Sequence, residues 1–249
     1  MIEYLIINHL YILILVLSII QSVFGIGLLI LGTPILLILK YNMLDTMCIL
    51  LPCSIINSFS NFLIFNLKKK ISIEEYKKKI YKNFFLYCIS FTIIGLLLLK
   101  IAQDLFNFKI LVSTIIISSL ILKIYYEKKL IISANLHKVI LSGIGIIHGL
   151  TNSGGILMSL FLMIINKNAK NLVRQQTIFF YFILAIIQLT SILLLFTIDY
   201  KYNFFLLFFS NIAGIIIGIK ILKYVSKKIF LNTISLLAFI SSVYLLFAS

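Results

Sequence analysis

Acidic residues are scarce in this chain. Only 7 of its 249 residues are Asp or Glu, and all charged residues together make up 12%, where a soluble domain carries about a quarter. The seven carboxylates (Glu3, Asp45, Glu74, Glu75, Asp104, Glu127 and Asp199) map to loops or to the ends of apolar segments. A cation carrier or proton pump places an Asp or Glu inside the membrane, so this shortage argues against both. Cysteine is limited to Cys48, Cys53 and Cys88. They form no C-x-x-C pair and no His/Cys cluster of metal-ligand spacing, so they read as small apolar fillers, and neither a metal nor a cofactor is expected. The histidines are His9, His137 and His148, with no H-E-x-x-H motif. A serine nucleophile at Ser153 would need a histidine base. His148 lies five residues earlier and no histidine follows on a later segment, so an enzyme is not expected. The start, Met1-Ile2-Glu3-Tyr4, lacks a basic n-region, and no small-residue cleavage site follows the first apolar run. That run therefore reads as a membrane span and not a removed signal peptide.

What the chain does have is apolar length. Hydrophobic residues make up 62% and the mean hydropathy is +1.16. Several runs reach the ~20 residues that cross a bilayer, which makes this an all-α polytopic membrane protein. The net charge of +15 raises the question of nucleic acid. However, the lysines sit in short loops between apolar runs, as the positive-inside rule expects, and no basic stripe with interleaved aromatics lies outside the membrane. No nucleic-acid partner is expected. Heavy use of Ile, Asn and Lys points to an AT-rich coding sequence.

The layout repeats. Residues 1–125 and 126–249 each read as a transmembrane repeat. The first long run breaks at Gly25-Ile26-Gly27 into segments Tyr4–Phe24 and Leu28–Leu39, followed by Leu44–Leu67, Asn83–Leu99 and Phe108–Leu122. The second half gives Val139–Leu150, a break at Thr151 to Gly154, then Gly155–Ile165, Gln176–Ile198, Asn203–Ile219 and Ile229–Ala248. Leu28–Leu39 rises only ~18 Å, short of the ~30 Å hydrocarbon core. If each break is a hairpin, 18 of the 22 Lys and Arg residues fall on one side. If each long run is one bent span, the split is 12 to 10. The charge rule prefers the hairpins. Five segments per half is an odd number, so the halves are expected to be inverted-topology repeats, each a glycine-broken helical hairpin plus three membrane-spanning helices. Both termini are expected outside, and the location is the plasma (inner) membrane of a bacterium.

Lipid offers no partner to free backbone groups, so a broken backbone at membrane depth survives only inside protein or beside a wet cavity. Paired breaks in two halves are the best sequence pointer to a transporter's binding site. Segments starting at Leu28 and Gly155 begin at such breaks, where unpartnered N–H groups and the macrodipole favour an oxyanion. The expected binding residues are Gly25, Gly27, Gly154 and Gly155, which let the backbone approach a ligand, and Thr151, Asn152 and Ser153, which add hydroxyl and amide groups. Arg174 is the lone arginine in a lysine-rich chain, and a guanidinium grips oxyanions bidentately. It reads equally as an anchor at the head of its helix. Gln21, Ser22, Asn57, Ser58, Asn61 and Gln188 are intramembrane polar residues for the pathway. Asn57 and Asn61 share a helical face, and interhelical hydrogen bonds are the alternative use for this set. His148, just before the second break, reads as a structural histidine ahead of a titrating one. The implied partners are a small anionic substrate and the lipid bilayer.

At the two breaks the sequence resembles the sulfite exporter TauE/SafE family of membrane permeases. Gly25-Ile26-Gly27 with Pro34 is similar to the family's first glycine motif, with Leu28 and Leu29 in place of later glycines. Gly149-Leu150-Thr151-Asn152-Ser153-Gly154-Gly155 is similar to the second, with Asn152 for one glycine and Ile156 for proline. Lys170, Arg174 and Thr177 resemble the basic segment that follows. The resemblance implies secondary transport of sulfite or another sulfur-containing oxyanion or organosulfonate. The alternative is a non-transporting integral-membrane subunit or assembly factor, and a passive channel is a further one.

Overall fold

The computed structural model describes residues 2–25, 27–66, 80–102, 105, 107–126, 134–166, 170–198, 203–226, 236, 239–240 and 242–247. In chain order the helices are α1 (Ile2–Phe24), α2 (Leu28–Ile38) and α3 (Met43–Asn66), then α4 (Ser90–Ala102), entered through a π-helical stretch Phe84–Ile89. They continue as α5 (Phe108–Tyr126), α6 (Ala134–Thr151), α7 (Gly155–Ile165), α8 (Lys170–Leu195) and α9 (Phe204–Leu222). Residues 242–247 are again helical, inside the expected last segment. Helices dominate because a chain this apolar must satisfy its own N–H and C=O groups. Asparagine starts several of them. Asn42 Oδ1 accepts from the Asp45 N–H at 2.7 Å while its amide donates to Asp45 Oδ2 at 2.9 Å. Asn203 Oδ1 likewise accepts from the Phe205 and Leu206 N–H groups at 3.1 and 3.4 Å. Both are N-caps that occupy first-turn donors.

Among the described residues, four helical stretches are long and apolar enough to cross a membrane: Met43–Ile64, Ile80–Ile101, Leu172–Leu195 and Phe204–Leu222. α2 and α7 are different. Each has 11 residues and so rises only ~16 Å. Nearly every residue of both is buried, as expected of helices apolar all round. They form the interior of the protein.

Packing repeats between the halves. α1 runs along α9, and α6 runs along α4; α2 packs on α3 as α7 packs on α8; and α3 and α8 meet at the centre. Both long side contacts use small residues. A Cβ on Gly214 of α9 would sit 2.5 Å from the Leu15 carbonyl oxygen of α1, and one on Gly149 of α6 would sit 2.2 Å from the Thr92 carbonyl oxygen of α4. Backbones come this close only where no side chain intervenes.

Several boundaries differ from the sequence reading: α5 runs on to Tyr126 where Leu122 was expected, α9 to Leu222 where Ile219 was expected, α8 stops at Leu195 and not Ile198, and α8 and α6 start earlier. α8 begins at Lys170 and not at Gln176: Arg174, which the sequence reading left in the loop before this segment, is buried inside the protein. α6 begins at Ala134 and not at Val139. The π-helical stretch was not expected; it brings Phe84 onto Phe180 of α8, with ring centroids 4.1 Å apart. Ile26, Glu74, Glu75, Asp104, Glu127, Asp199 and the lysines at 68–79 lie outside the described residues.

Candidate functional site

Both breaks are built the same way. α1 ends at Phe24, and Gly25 follows with φ +78° and its N–H on the Gln21 carbonyl at 2.7 Å. α6 ends at Thr151, and Asn152 follows with φ +58° and its N–H on the His148 carbonyl at 2.8 Å. Each is a left-handed residue closing a helix C-terminus, a position that glycine fills most often and asparagine next. This explains how Asn152 can stand where the resembled second motif has a glycine. Replacing Asn152 by glycine keeps the turn, whereas Asn152→Val forces a β-branched residue into the left-handed region at a cost of about 1–2 kcal/mol. Thermal unfolding of the two variants in detergent is expected to separate them in that order.

At the first break the polar groups close on one another. Gln21 Oε1 accepts from the Leu28 N–H at 3.1 Å, which occupies a first-turn donor of α2. Its amide nitrogen donates to the Ser54 and Ser58 hydroxyls at 3.2 and 3.1 Å. Asn57 Oδ1 accepts from the Ser22 hydroxyl at 3.2 Å and from the Asn61 amide at 2.9 Å, while its own amide donates to the Ser18 carbonyl at 3.0 Å. Arg174 completes the set. Its Nε donates to the Val23 carbonyl at 3.1 Å, and its Nη2 donates to the Ser22 carbonyl and to Asn61 Oδ1, the latter at 2.9 Å. Ser22 and Val23 carry two of the last carbonyls of α1, which lack intrahelical donors and form the negative end of the helix dipole. The guanidinium from α8 thus caps α1. A Cβ on Gly25 would lie 3.2 Å from Arg174 Cγ, and one on Gly27 would lie 2.9 Å from the Gln21 backbone nitrogen. The structure therefore brings Gln21, Gly25, Gly27, Asn57 and Arg174 together around one helix end.

The second break is less closed. Thr151 Oγ1 donates to the Ile147 carbonyl at 2.7 Å and accepts from the Ser153 N–H at 3.3 Å; Ser153 Oγ donates to the Thr151 carbonyl at 3.0 Å. Beyond these, several polar atoms are fully buried without a hydrogen-bond partner among the described residues: Asn152 Oδ1, both ring nitrogens of His148, Tyr181 Oη and Gln188 Oε1. They are neighbours. The His148 and Tyr181 ring centroids are 6.2 Å apart, and Gln188 Nε2 donates to the His148 carbonyl at 3.1 Å. The Tyr181 hydroxyl lies on the first residue of α7, only 1.1 Å from where a Cβ of Gly155 would be. Gly154 is held as closely, its Cβ position being 2.6 Å from His148 Cβ. Leaving a buried polar atom unpaired costs about 1–3 kcal/mol, and folded proteins pair such groups with protein, ordered water or a bound ion.

One bond links the two breaks. Asn152 Nδ2 donates to Thr33 Oγ1 of α2 at 3.3 Å, so α2 and α7 meet inside the protein. Arg174 belongs to the first break, although its helix also carries Tyr181 and Gln188 to the second. Thr33 and Tyr181 were not among the expected site residues, and Gln188 was expected only as a member of the polar pathway set. Gln188 was visible as an intramembrane amide. Tyr181 looked like any aromatic of a span, and only the glycine beneath its hydroxyl sets it apart. Among the described residues no group of three or more His, Cys, Asp or Glu is placed to hold a metal ion.

Residues 10–245 match the family model described as sulfite exporter TauE/SafE. No curated protein and no solved structure matches the chain. The match covers nearly all of an all-helical chain whose two buried half-length helices each start at a capped break, and the chain therefore belongs to the sulfite exporter TauE/SafE family, membrane transporters of sulfur anions and not enzymes.

Proposed function

We propose that the protein is a secondary transporter of a small sulfur oxyanion or organosulfonate, which it binds at the second break against the N-terminus of α7. One observation carries this reading: buried polar groups without a hydrogen-bond partner among the described residues lie around that helix start, while at the first break the Gln21 and Asn57 amides are fully engaged by their neighbours and Arg174 Nε and Nη2 by the end of α1 and Asn61. The α7 N-terminus supplies partial positive charge without an ionised side chain. Thr151, Asn152, Ser153, Gly154 and Gly155 form the turn beneath the anion. Gln21, Gly25, Gly27, Asn57 and Arg174 hold the start of α2 as the opposite wall. The matching break geometry and the exchangeable packing of the halves support two repeats, and the loop charges support their inversion, with both termini outside the cell. In such an arrangement one repeat rocks against the other around a fixed site.

Thermal unfolding of the purified protein with sulfite, sulfate, thiosulfate, sulfoacetate, taurine, acetate and phosphate tests this. A ligand at a hundred times its Kd stabilises by about 2.7 kcal/mol, and at least one sulfur anion is expected to do so. A flat response to every anion by correctly folded protein sinks the proposal.

A further inference from the structure

The unpartnered atoms at the second break are mostly of one kind. The Asn152 amide nitrogen is already engaged by Thr33 Oγ1 at 3.3 Å. The Gln188 amide nitrogen is engaged by the His148 carbonyl at 3.1 Å and by Met47 Sδ at 3.7 Å. What both side chains leave over is the carbonyl oxygen, which only accepts. A neutral His148 adds one accepting and one donating nitrogen, and Tyr181 adds a hydroxyl. The helix start is a donor end, and a second observation independent of the helix aims at it: the wholly buried Tyr181 hydroxyl, unpartnered and seated on Gly155. The site therefore has two chemically different ends. One donates, at Gly155 and Tyr181. The other accepts, at Asn152 Oδ1 and Gln188 Oε1. Tyr181 and Gln188 are seven residues apart on α8, so they share a face about 10 Å apart along the axis, with His148 between them.

A fully deprotonated oxyanion offers only lone pairs. It suits the donor end and leaves two buried carbonyl oxygens facing further negative charge. We infer that the anion bound at the second break carries a hydrogen-bond donor of its own, either the acid proton of a hydrogen-oxyanion such as hydrogensulfite or a hydroxyl or amino group on the tail of a short organosulfonate. The inference rests on the transporter reading above and specifies what that site selects. The charged group lies at Gly155 and Tyr181, and the donor satisfies Asn152 Oδ1 and Gln188 Oε1. A site whose buried acceptors are paired by the correct ligand rejects an isostere without the donor, because the acceptors then stay unpaired.

The test is a binding comparison on the purified full chain by calorimetry. Ethanesulfonate is compared with its hydroxyl and amino analogues, isethionate and taurine. Sulfite is titrated on the acidic and alkaline sides of neutrality, with isethionate, whose charge does not change there, controlling for titration of the protein. An organic-tail donor is shown by isethionate or taurine binding at least about ten-fold more tightly than ethanesulfonate, the size expected for a buried acceptor left unpaired. An acid-proton donor is shown by sulfite binding more tightly on the acidic side while isethionate is unchanged. Gln188→Leu is expected to narrow whichever difference is seen; if that variant does not fold, the ligand comparison on the unaltered protein decides alone. Ethanesulfonate binding as well as its analogues, together with sulfite indifferent to pH, overturns this inference and leaves the transporter reading standing. Absence of binding by every anion overturns both.

Discussion

Gly155→Ala is expected to abolish transport measured in proteoliposomes while the protein still inserts and folds. The added methyl would lie 1.1 Å from the Tyr181 hydroxyl, 1.9 Å from Cζ and 2.6 Å from Cε2. No contact of that length is tolerated, so the ring must leave. Tyr181 is wholly buried and faces His148, so its displacement disturbs the polar groups around the α7 start as well. Overpacking a well-filled interior costs about 1–3 kcal/mol, which predicts a lowered Tm and not an unfolded protein. Two companions separate space from chemistry. Gly143→Ala on α6 adds a methyl that meets nothing within 4 Å; it is expected to leave flux and Tm unchanged or to raise Tm slightly through helix propensity. Gly155→Ala combined with Tyr181→Leu removes the clash and is expected to recover stability without recovering anion binding. Full transport by Gly155→Ala would mean that the Tyr181 hydroxyl and the α7 start are not where the anion sits.

Arg174→Leu is expected to cost the most stability of any single substitution near the breaks, about 3 kcal/mol, the lower end of what breaking a buried charged network costs. The change strips the Ser22 and Val23 carbonyls and Asn61 Oδ1 of their donor, each in a place water does not reach. The loss stays at the lower end because an unfolded helix within a membrane also finds partners for its polar groups. Arg174→Lys retains the charge at the negative end of the α1 dipole but not the fork that reaches three acceptors, so its Tm is expected to fall between the parent and Arg174→Leu. This ranking comes from chain geometry alone and is read without ligand. If both variants melt like the parent and only anion binding is lost, the guanidinium serves the substrate and not the helix end.

Much of this molecule is written in local sequence. The long apolar runs with lysine between them specify spans, because a helix is the only open-ended way to satisfy a backbone in lipid. The starts of α2 at Leu28 and of α7 at Gly155 were readable to the residue, since glycine and short polar residues interrupt runs that otherwise continue. Asn57 and Asn61 were readable as one helical face from their spacing alone. α8 was misjudged at its start because Lys170 to Gln175 is polar, and polarity in sequence looks the same in a loop and in a buried network.

What the chain alone determined, then, is the class, the number of breaks and the family motifs, each of which depends on residues within a few positions of one another. Tertiary structure decided which polar residue meets which. Arg174 lies 20 residues beyond Gly154 in sequence yet caps the end of α1 at the other break. Tyr181 was indistinguishable from other aromatics of a span until its hydroxyl was found on Gly155. The closed first break and the open second break contain similar residue types. They differ because hydrogen-bond satisfaction depends on partners brought from other helices, a property of packing that no single stretch of sequence holds.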